Sequence, residues 1–97
     1  MGNLISSMIH CNHKGDSIII GQHSHINLWE RGNISAIGNI YPKLVDNNNA
    51  GELDLNQIER VISENIDHDF HYVTIKAVAL ESSHNYLGGK PLSMEYL

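Results

Sequence analysis

The sequence predicts an α/β fold in which mostly parallel strands are flanked by helices. Helical and strand-like segments alternate along the chain, as they do in βαβ units. Residues 17–20 form a short, continuous run rich in β-branched residues, which is typical of a strand covered on both faces. A parallel sheet needs both of its faces covered, and two helices barely cover a sheet of two or three strands. We therefore expect residues 1–97 to be part of one larger domain, truncated at both ends.

The amino-terminal half predicts a helix, a strand and a second, irregular strand. Residues 3–13 carry apolar side chains at helical spacing, and a loop over residues 21–25 follows the strand. Residues 26–30 fit a short helical turn that Gly32 stops. Residues 37–45 are apolar but contain glycine and proline, so an irregular or edge strand is expected there.

The carboxyl-terminal half begins with an asparagine-rich turn at residues 46–51. Asp54 is predicted to cap a helix, and Gln57 three residues later completes a capping-box pattern. A polar connector is expected over residues 67–71. Residues 73–80 predict a second buried strand, residues 81–90 a polar loop, and residues 91–97 the entry to another helix.

Composition excludes several classes of function. The formal net charge is −5, and the six lysines and arginines are scattered, which argues against nucleic-acid binding. The longest strongly apolar run, residues 18–20, is far too short to span a membrane. The single cysteine, Cys11, cannot form an internal disulfide, so a reducing compartment and hence the cytoplasm is expected.

Histidines follow both predicted buried strands. His23 and His25 come after the first strand, and His84 comes after the second. Ligands of open α/β sheets bind beyond the carboxyl ends of the strands, so these loops are expected to converge over one crevice. Histidine there can stack on a planar cofactor, transfer protons or bind a metal. The equally open alternative is that each ring only caps its own loop by hydrogen bonding.

A metal site is the less favoured interpretation of the seven histidines. Local ligand spacing occurs in residues 10–13, in His23 and His25, and in residues 68–71. Histidines three apart on a helix share one side without any metal, and no pair has the Cys/His spacing of structural zinc. We therefore expect no metal.

Several separated motifs together point to a known family. In chain order the motifs are Met1-Gly2-Asn3-Leu4-Ile5, His10-Cys11-Asn12-His13-Lys14-Gly15-Asp16, Ser24-His25-Ile26, Trp29-Glu30, Glu81-Ser82-Ser83-His84-Asn85 and Gly88-Gly89-Lys90-Pro91-Leu92. In this order the chain resembles the threonine aldolases, which are fold-type-I pyridoxal-phosphate enzymes, from the first residue to the last and with compatible spacing. The resemblance implies a lyase that cleaves L-threonine or L-allo-threonine to glycine and acetaldehyde, and a homo-oligomeric full-length protein.

The resemblance also implies roles for individual residues. His25 matches the histidine that stacks on the pyridine ring of pyridoxal 5′-phosphate, and His84 matches the one proposed to assist deprotonation of the substrate hydroxyl. In the family, a Gly-Thr pair that binds the cofactor phosphate precedes the segment that matches Met1. Glu30 matches a family position that supports the site from behind the residues in contact with the cofactor. The family's usual Glu-Asn-Thr-His-Asn reads Glu-Ser-Ser-His-Asn here, which removes an amide at Ser82.

The resemblance predicts that the isolated chain does not catalyse the cleavage. None of the four lysines matches the Schiff-base lysine of the family, whose position is expected beyond the equivalent of Leu97. Three other interpretations stay open at this point. They are a related β-eliminating lyase on the same scaffold, a non-catalytic truncated product, and a histidine-based metal-binding module.

Overall fold

The computed structural model describes residues 1–65 and 73–97, which form a three-stranded parallel sheet with helices on both faces. The elements in chain order are α1 (Gly2–His10), β1 (Asp16–Gly21), α2 (His25–Leu28), α3 (Asn33–Ala36), β2 (Tyr41–Val45), α4 (Leu55–Asn65) and β3 (Thr74–Val78). The strand order is β2-β1-β3. The α/β class with parallel strands is thereby confirmed. The polar connector predicted at residues 67–71 lies outside the described residues.

The central strand β1 divides the core into two layers. Alternate side chains point to opposite faces of a strand, so Ile18 and Ile20 pack on one face while Ile19 packs on the other. The first face is covered by apolar side chains from α1, α2 and α3, and the second by Leu53 and by α4. Every residue of β1 is buried, as the sequence predicted for a strand covered on both sides.

Residues 73–80 are predicted to form a second buried strand; the strand is present, but the prediction that it is buried is wrong. The strand β3 spans Thr74–Val78 and alternates between exposed and half-buried residues. Because β3 pairs only with β1 in the described sheet, it lies at an edge, and one of its sides has no covering strand. β2 lies at the opposite edge, as the glycine and proline of residues 37–45 predicted, although the strand begins only at Tyr41.

Local signals explain where the helices begin and end. The Asp54 carboxylate accepts hydrogen bonds from the N–H groups of Asn56 and Gln57, so it caps α4 as predicted. The Gln57 side chain does not complete a capping box; it pairs with Asp46 instead. The helix α3 was not expected from the sequence. It starts after Gly32, whose φ of +67° suits glycine.

None of the helices in the described residues is long and apolar enough to cross a lipid bilayer. At the carboxyl terminus, where the sequence predicts the entry to a helix, residues 94–96 form a turn, in which the Leu97 N–H donates to the Ser93 carbonyl.

Candidate functional site

A cavity of about 320 Å³ opens beside the carboxyl ends of β1 and β3. Its volume is at the lower end of the range of small-molecule sites, roughly 300–1,000 Å³. The segment after β1, the segment after β3 and the first turn of α1 all contribute to its wall. Polar and apolar lining residues include Asn3, Ser24, His25, Ile26, Glu81 and Ser82. The cavity therefore lies where ligands bind in open α/β sheets.

His25 is on the cavity wall, and its ring is held by Glu30. It is the first residue of α2, and its side chain is about half exposed, at 49%. Its Nδ1 atom lies 3.0 Å from the Glu30 Oε1 atom. The same carboxylate accepts hydrogen bonds from the side-chain amides of Asn3, at 2.6 Å, and Asn33, at 3.4 Å. The imidazole thus borders the cavity, and the Glu30 carboxylate holds its Nδ1 atom in place.

The hydrogen bonds around Glu30 also change its acidity. Burial by itself would raise the pKa of Glu30, because it disfavours the charged form. The hydrogen bonds from Asn3, His25 and Asn33 together outweigh burial and hold the pKa below its ordinary value. Glu30 is therefore a stable anion next to the His25 ring at neutral pH.

His84 is enclosed by the protein in the loop that follows β3. The residue is only 1% exposed. Its backbone N–H donates to the Lys90 carbonyl, and its carbonyl accepts from the Gly89 N–H, so the loop closes around it. Within the described residues, neither ring nitrogen has a hydrogen-bond partner. Such buried, unsatisfied nitrogens are uncommon in native proteins and suit a group that has a ligand or a proton to exchange.

Glu81 connects the two histidines. Its Oε2 atom accepts the backbone N–H of His25 at 2.7 Å and lies 3.7 Å from the Nε2 atom of His84. The sequence predicts that His25 and His84 face one shared pocket. This prediction is confirmed for His25, which lines the cavity, and is wrong for His84, which is buried within the loop after β3 and lies near the cavity residue Glu81. The catalytic and cofactor-binding roles of both residues stay predictions.

Met1, the other predicted cofactor-binding residue, lies outside the cavity. The residue is 81% exposed, and its carbonyl accepts the N–H of Ile5 at the start of α1. Asn3, one residue into the helix, is the part of this segment that reaches the cavity wall. A role for Met1 in binding the cofactor stays a prediction.

Sequence reasoning missed two contacts made by His23 in the loop after β1. The rings of His23 and Tyr86 stack with their centroids 5.3 Å apart and their planes 6° apart. The His23 N–H donates to Asn47 Oδ1 at 2.9 Å, which ties the loop after β1 to the asparagine-rich turn. The abundance of asparagine in residues 46–51 is a signal of such local bonding, but it does not identify the partner.

Metal ligation receives no support from the geometry. Among residues 1–65 and 73–97, no group of three or more histidine, cysteine, aspartate and glutamate side chains is arranged to hold a metal ion. His68 and His71 lie outside the described residues. His13 is exposed and approaches Asp16, with Nδ1 3.7 Å from Oδ2.

Comparison with known proteins identifies the class to which this fold and cavity belong. The family model described as beta-eliminating lyase matches residues 1–97, so the chain belongs to the beta-eliminating lyase family. Within it, the chain is similar to proteins named threonine aldolases. It is 43% identical to low-specificity L-threonine aldolase 1 of Arabidopsis thaliana over 96 residues, which cover 99% of the chain.

Two further relatives agree with this assignment. The chain is 35% identical over its whole length to the probable low-specificity L-threonine aldolase 2 of Arabidopsis thaliana. It is also 35% identical to the low specificity L-threonine aldolase of Escherichia coli (strain K12), over 98% of the chain. The chain spans about a quarter of the length of these relatives: 26%, 27% and 26%.

Proposed function

We propose that this chain forms part of the large cofactor-binding domain of a fold-type-I, pyridoxal-phosphate-dependent threonine aldolase. The reaction would be cleavage of L-threonine or L-allo-threonine to glycine and acetaldehyde. The observation that carries the proposal is the agreement between the relatives, which are named threonine aldolases and align with nearly the whole chain, and a cavity with His25 on its wall.

The residues around the cavity fit pyridoxal 5′-phosphate. The His25 imidazole is flat, about half exposed and held at Nδ1 by Glu30, which suits it to stack on a planar ring. The cavity volume of about 320 Å³ suits a small planar cofactor, and Asn3 and Ser24 offer polar groups at its wall. When bound, this cofactor supplies the electron sink that cleavage of a Cα–Cβ bond requires.

The proposed role of His84 is to take the proton of the substrate's β-hydroxyl group at Nδ1. An imidazole suits this transfer because it exchanges protons near neutral pH. Nδ1 has no hydrogen-bond partner in the described residues, so its lone pair is not committed elsewhere. The other ring nitrogen, Nε2, lies 3.7 Å from the carboxylate of Glu81, which lines the cavity.

The wider context follows from the same proposal. The partner is a small amino-acid substrate, and the expected assembly of an intact protein is a homo-oligomer. The expected compartment is the cytoplasm. The isolated chain is expected to be inactive, because none of its lysines matches the residue to which the family attaches its cofactor.

A chimera tests the proposal. The segment of Arabidopsis low-specificity L-threonine aldolase 1 that matches residues 1–97 would be replaced by this chain, which is 43% identical to it. We expect the chimera to release acetaldehyde from threonine, and His25→Ala and His84→Phe to abolish most of that release. His13→Phe, at an exposed histidine, is the matched control. A folded, cofactor-loaded chimera without acetaldehyde release would refute the proposal.

A second function is favoured by the family match itself. The matching family is described as beta-eliminating lyase, so the same scaffold could instead eliminate a leaving group from the β-carbon of an amino acid. The chimera would then release a keto acid and ammonia from a β-substituted amino acid faster than it releases acetaldehyde from threonine.

A further inference from the structure

The carboxylate of Glu81 contacts three groups, which belong to two separate segments of the site. Its Oε2 atom accepts the His25 backbone N–H at 2.7 Å and lies 3.7 Å from His84 Nε2. Its Oε1 atom accepts the backbone N–H of Asn85 at 3.4 Å. The Glu81 side chain is itself only 20% exposed and lies on the wall of the cavity. One side chain therefore contacts both candidate histidine segments.

The contact with His25 has a structural cause in the short helix α2. A helix leaves its first N–H groups without partners inside the helix, and a carboxylate near that end is favourable. Ser24 precedes α2, but its side chain makes no capping hydrogen bond. Glu81, from the loop after β3, supplies the missing acceptor at His25. The position of His25 therefore depends on a residue 56 positions away in the sequence.

The contact with His84 affects where its proton lies. A neutral imidazole carries a proton on one of its two nitrogens, and the surroundings decide which. The Glu81 carboxylate is 3.7 Å from Nε2, whereas Nδ1 has no hydrogen-bond partner in the described part of the chain. The negative charge favours the tautomer with its proton on Nε2, on the side of Glu81.

We propose that Glu81 is a positioning residue that fixes His25 and His84 relative to each other and keeps the His84 proton on Nε2. This inference rests on the proposed function for its catalytic meaning, since it assigns Glu81 to the two histidines of that site. Its geometric content does not depend on the reaction. Glu81 acts through the histidines and need not contact substrate or cofactor.

Nuclear magnetic resonance of the full 97-residue chain, labelled with ¹⁵N, tests the inference without an activity assay. The samples are the wild type, Glu81→Gln, which keeps an oxygen acceptor but loses the charge, and Glu81→Ala, which loses both. Glu95→Ala, at an exposed glutamate of the terminal turn, is the matched control. The readouts are hydrogen exchange of the His25 amide and the ring ¹⁵N shifts of His84, which report its tautomer.

In Glu81→Ala we expect the His25 amide to exchange about tenfold to a hundredfold faster, as for the loss of a hydrogen bond to a charged acceptor. Glu81→Gln should retain much of this protection. Both variants should lose the Nε2-protonated tautomer of His84, and Glu95→Ala should leave both readouts at their wild-type values.

Either of two results would overturn the inference. One is unchanged His25 exchange and an unchanged His84 tautomer in Glu81→Ala. The other is a wild-type His25 amide that already exchanges as fast as in an unfolded chain, because the Glu81 bond would then be absent. Failure of the chimera to cleave threonine, with these NMR results as expected, would instead reject the proposed function alone.

Discussion

Gly51 lies against the ring of His84. A Cβ atom at Gly51 would be 2.8 Å from His84 Cβ and 3.2 Å from both Cγ and Cδ2. Real Cβ atoms do not approach side chains so closely, so the turn at residues 46–51 can enclose His84 only with glycine at this position. Gly51 also has a φ of +82°, a conformation that costs other residues about 1–2 kcal/mol.

The first prediction concerns this contact. Gly51→Ala should destabilise the chain by the backbone strain plus about 1–3 kcal/mol for overpacking, and should shift the His84 ring resonances. The control is Gly15→Ala, because Gly15 has a similar φ of +86° but open space where a Cβ would be. Urea unfolding of both variants measures the difference. Equal losses of unfolding free energy would show that the Gly51–His84 contact is unimportant.

The second prediction concerns the buried thiol of Cys11. Burial, followed by the negative charge of Asp16, raises the pKa of Cys11, and Lys76 only partly opposes this. A raised pKa in the folded state gives stability that is complete below the unfolded pKa, about 8.5, and is lost as pH rises toward the folded pKa. The wild type should therefore lose unfolding free energy above about pH 8.5.

Cys11→Ala provides the comparison for that prediction. Its unfolding free energy should start lower at pH 7, because a buried side chain is truncated, but should fall less between pH 8 and pH 10. Thermal or urea unfolding at several pH values gives both slopes. Parallel curves for the two proteins would contradict the assignment of the alkaline loss to Cys11.

The third prediction concerns acid stability and Glu30. Hydrogen bonds outweigh burial and lower the pKa of Glu30 in the folded state. Its stabilising contribution is thus present above the unfolded pKa, about 4.3, and is lost as pH falls through the folded pKa. Glu30→Gln should destabilise the chain at pH 7 but flatten the acid limb of the unfolding curve. Glu59→Gln, at an exposed glutamate of α4, gives the baseline for losing one carboxylate.

The fourth prediction concerns the tie between the terminal turn and the segment before α4. The Tyr96 hydroxyl accepts the N–H of Leu53 at 2.9 Å and donates to its carbonyl at 3.1 Å. Leu53 is buried, so Tyr96→Phe would leave both backbone groups without their partner and should cost about 1–3 kcal/mol. Tyr41→Phe, at an exposed tyrosine, is the control. Equal unfolding midpoints for the wild type and Tyr96→Phe would mean that water replaces the Tyr96 hydroxyl as the partner of Leu53.

Much of the fold was predictable because its signals are local. The β-branched run of β1 and the Asp54 cap of α4 each depend on neighbouring residues, and both are present as predicted. Two features were not predictable in the same way. The burial of β3 depends on how many strands flank it, and the start of α3 depends on the turn at Gly32. Neither is determined by the composition of the segment alone.

In the candidate site, too, some features follow from the sequence and others only from the tertiary structure. The sequence by itself identified the family and the histidines that follow the strands, because the order and spacing of motifs are properties of the chain, and the match over residues 1–97 agrees. Only the tertiary structure decided that His25 lines the cavity, that His84 is buried behind it and that Glu81 contacts both. These relations join loops far apart in sequence, and the parallel sheet brings them together by placing the carboxyl ends of its strands along one edge.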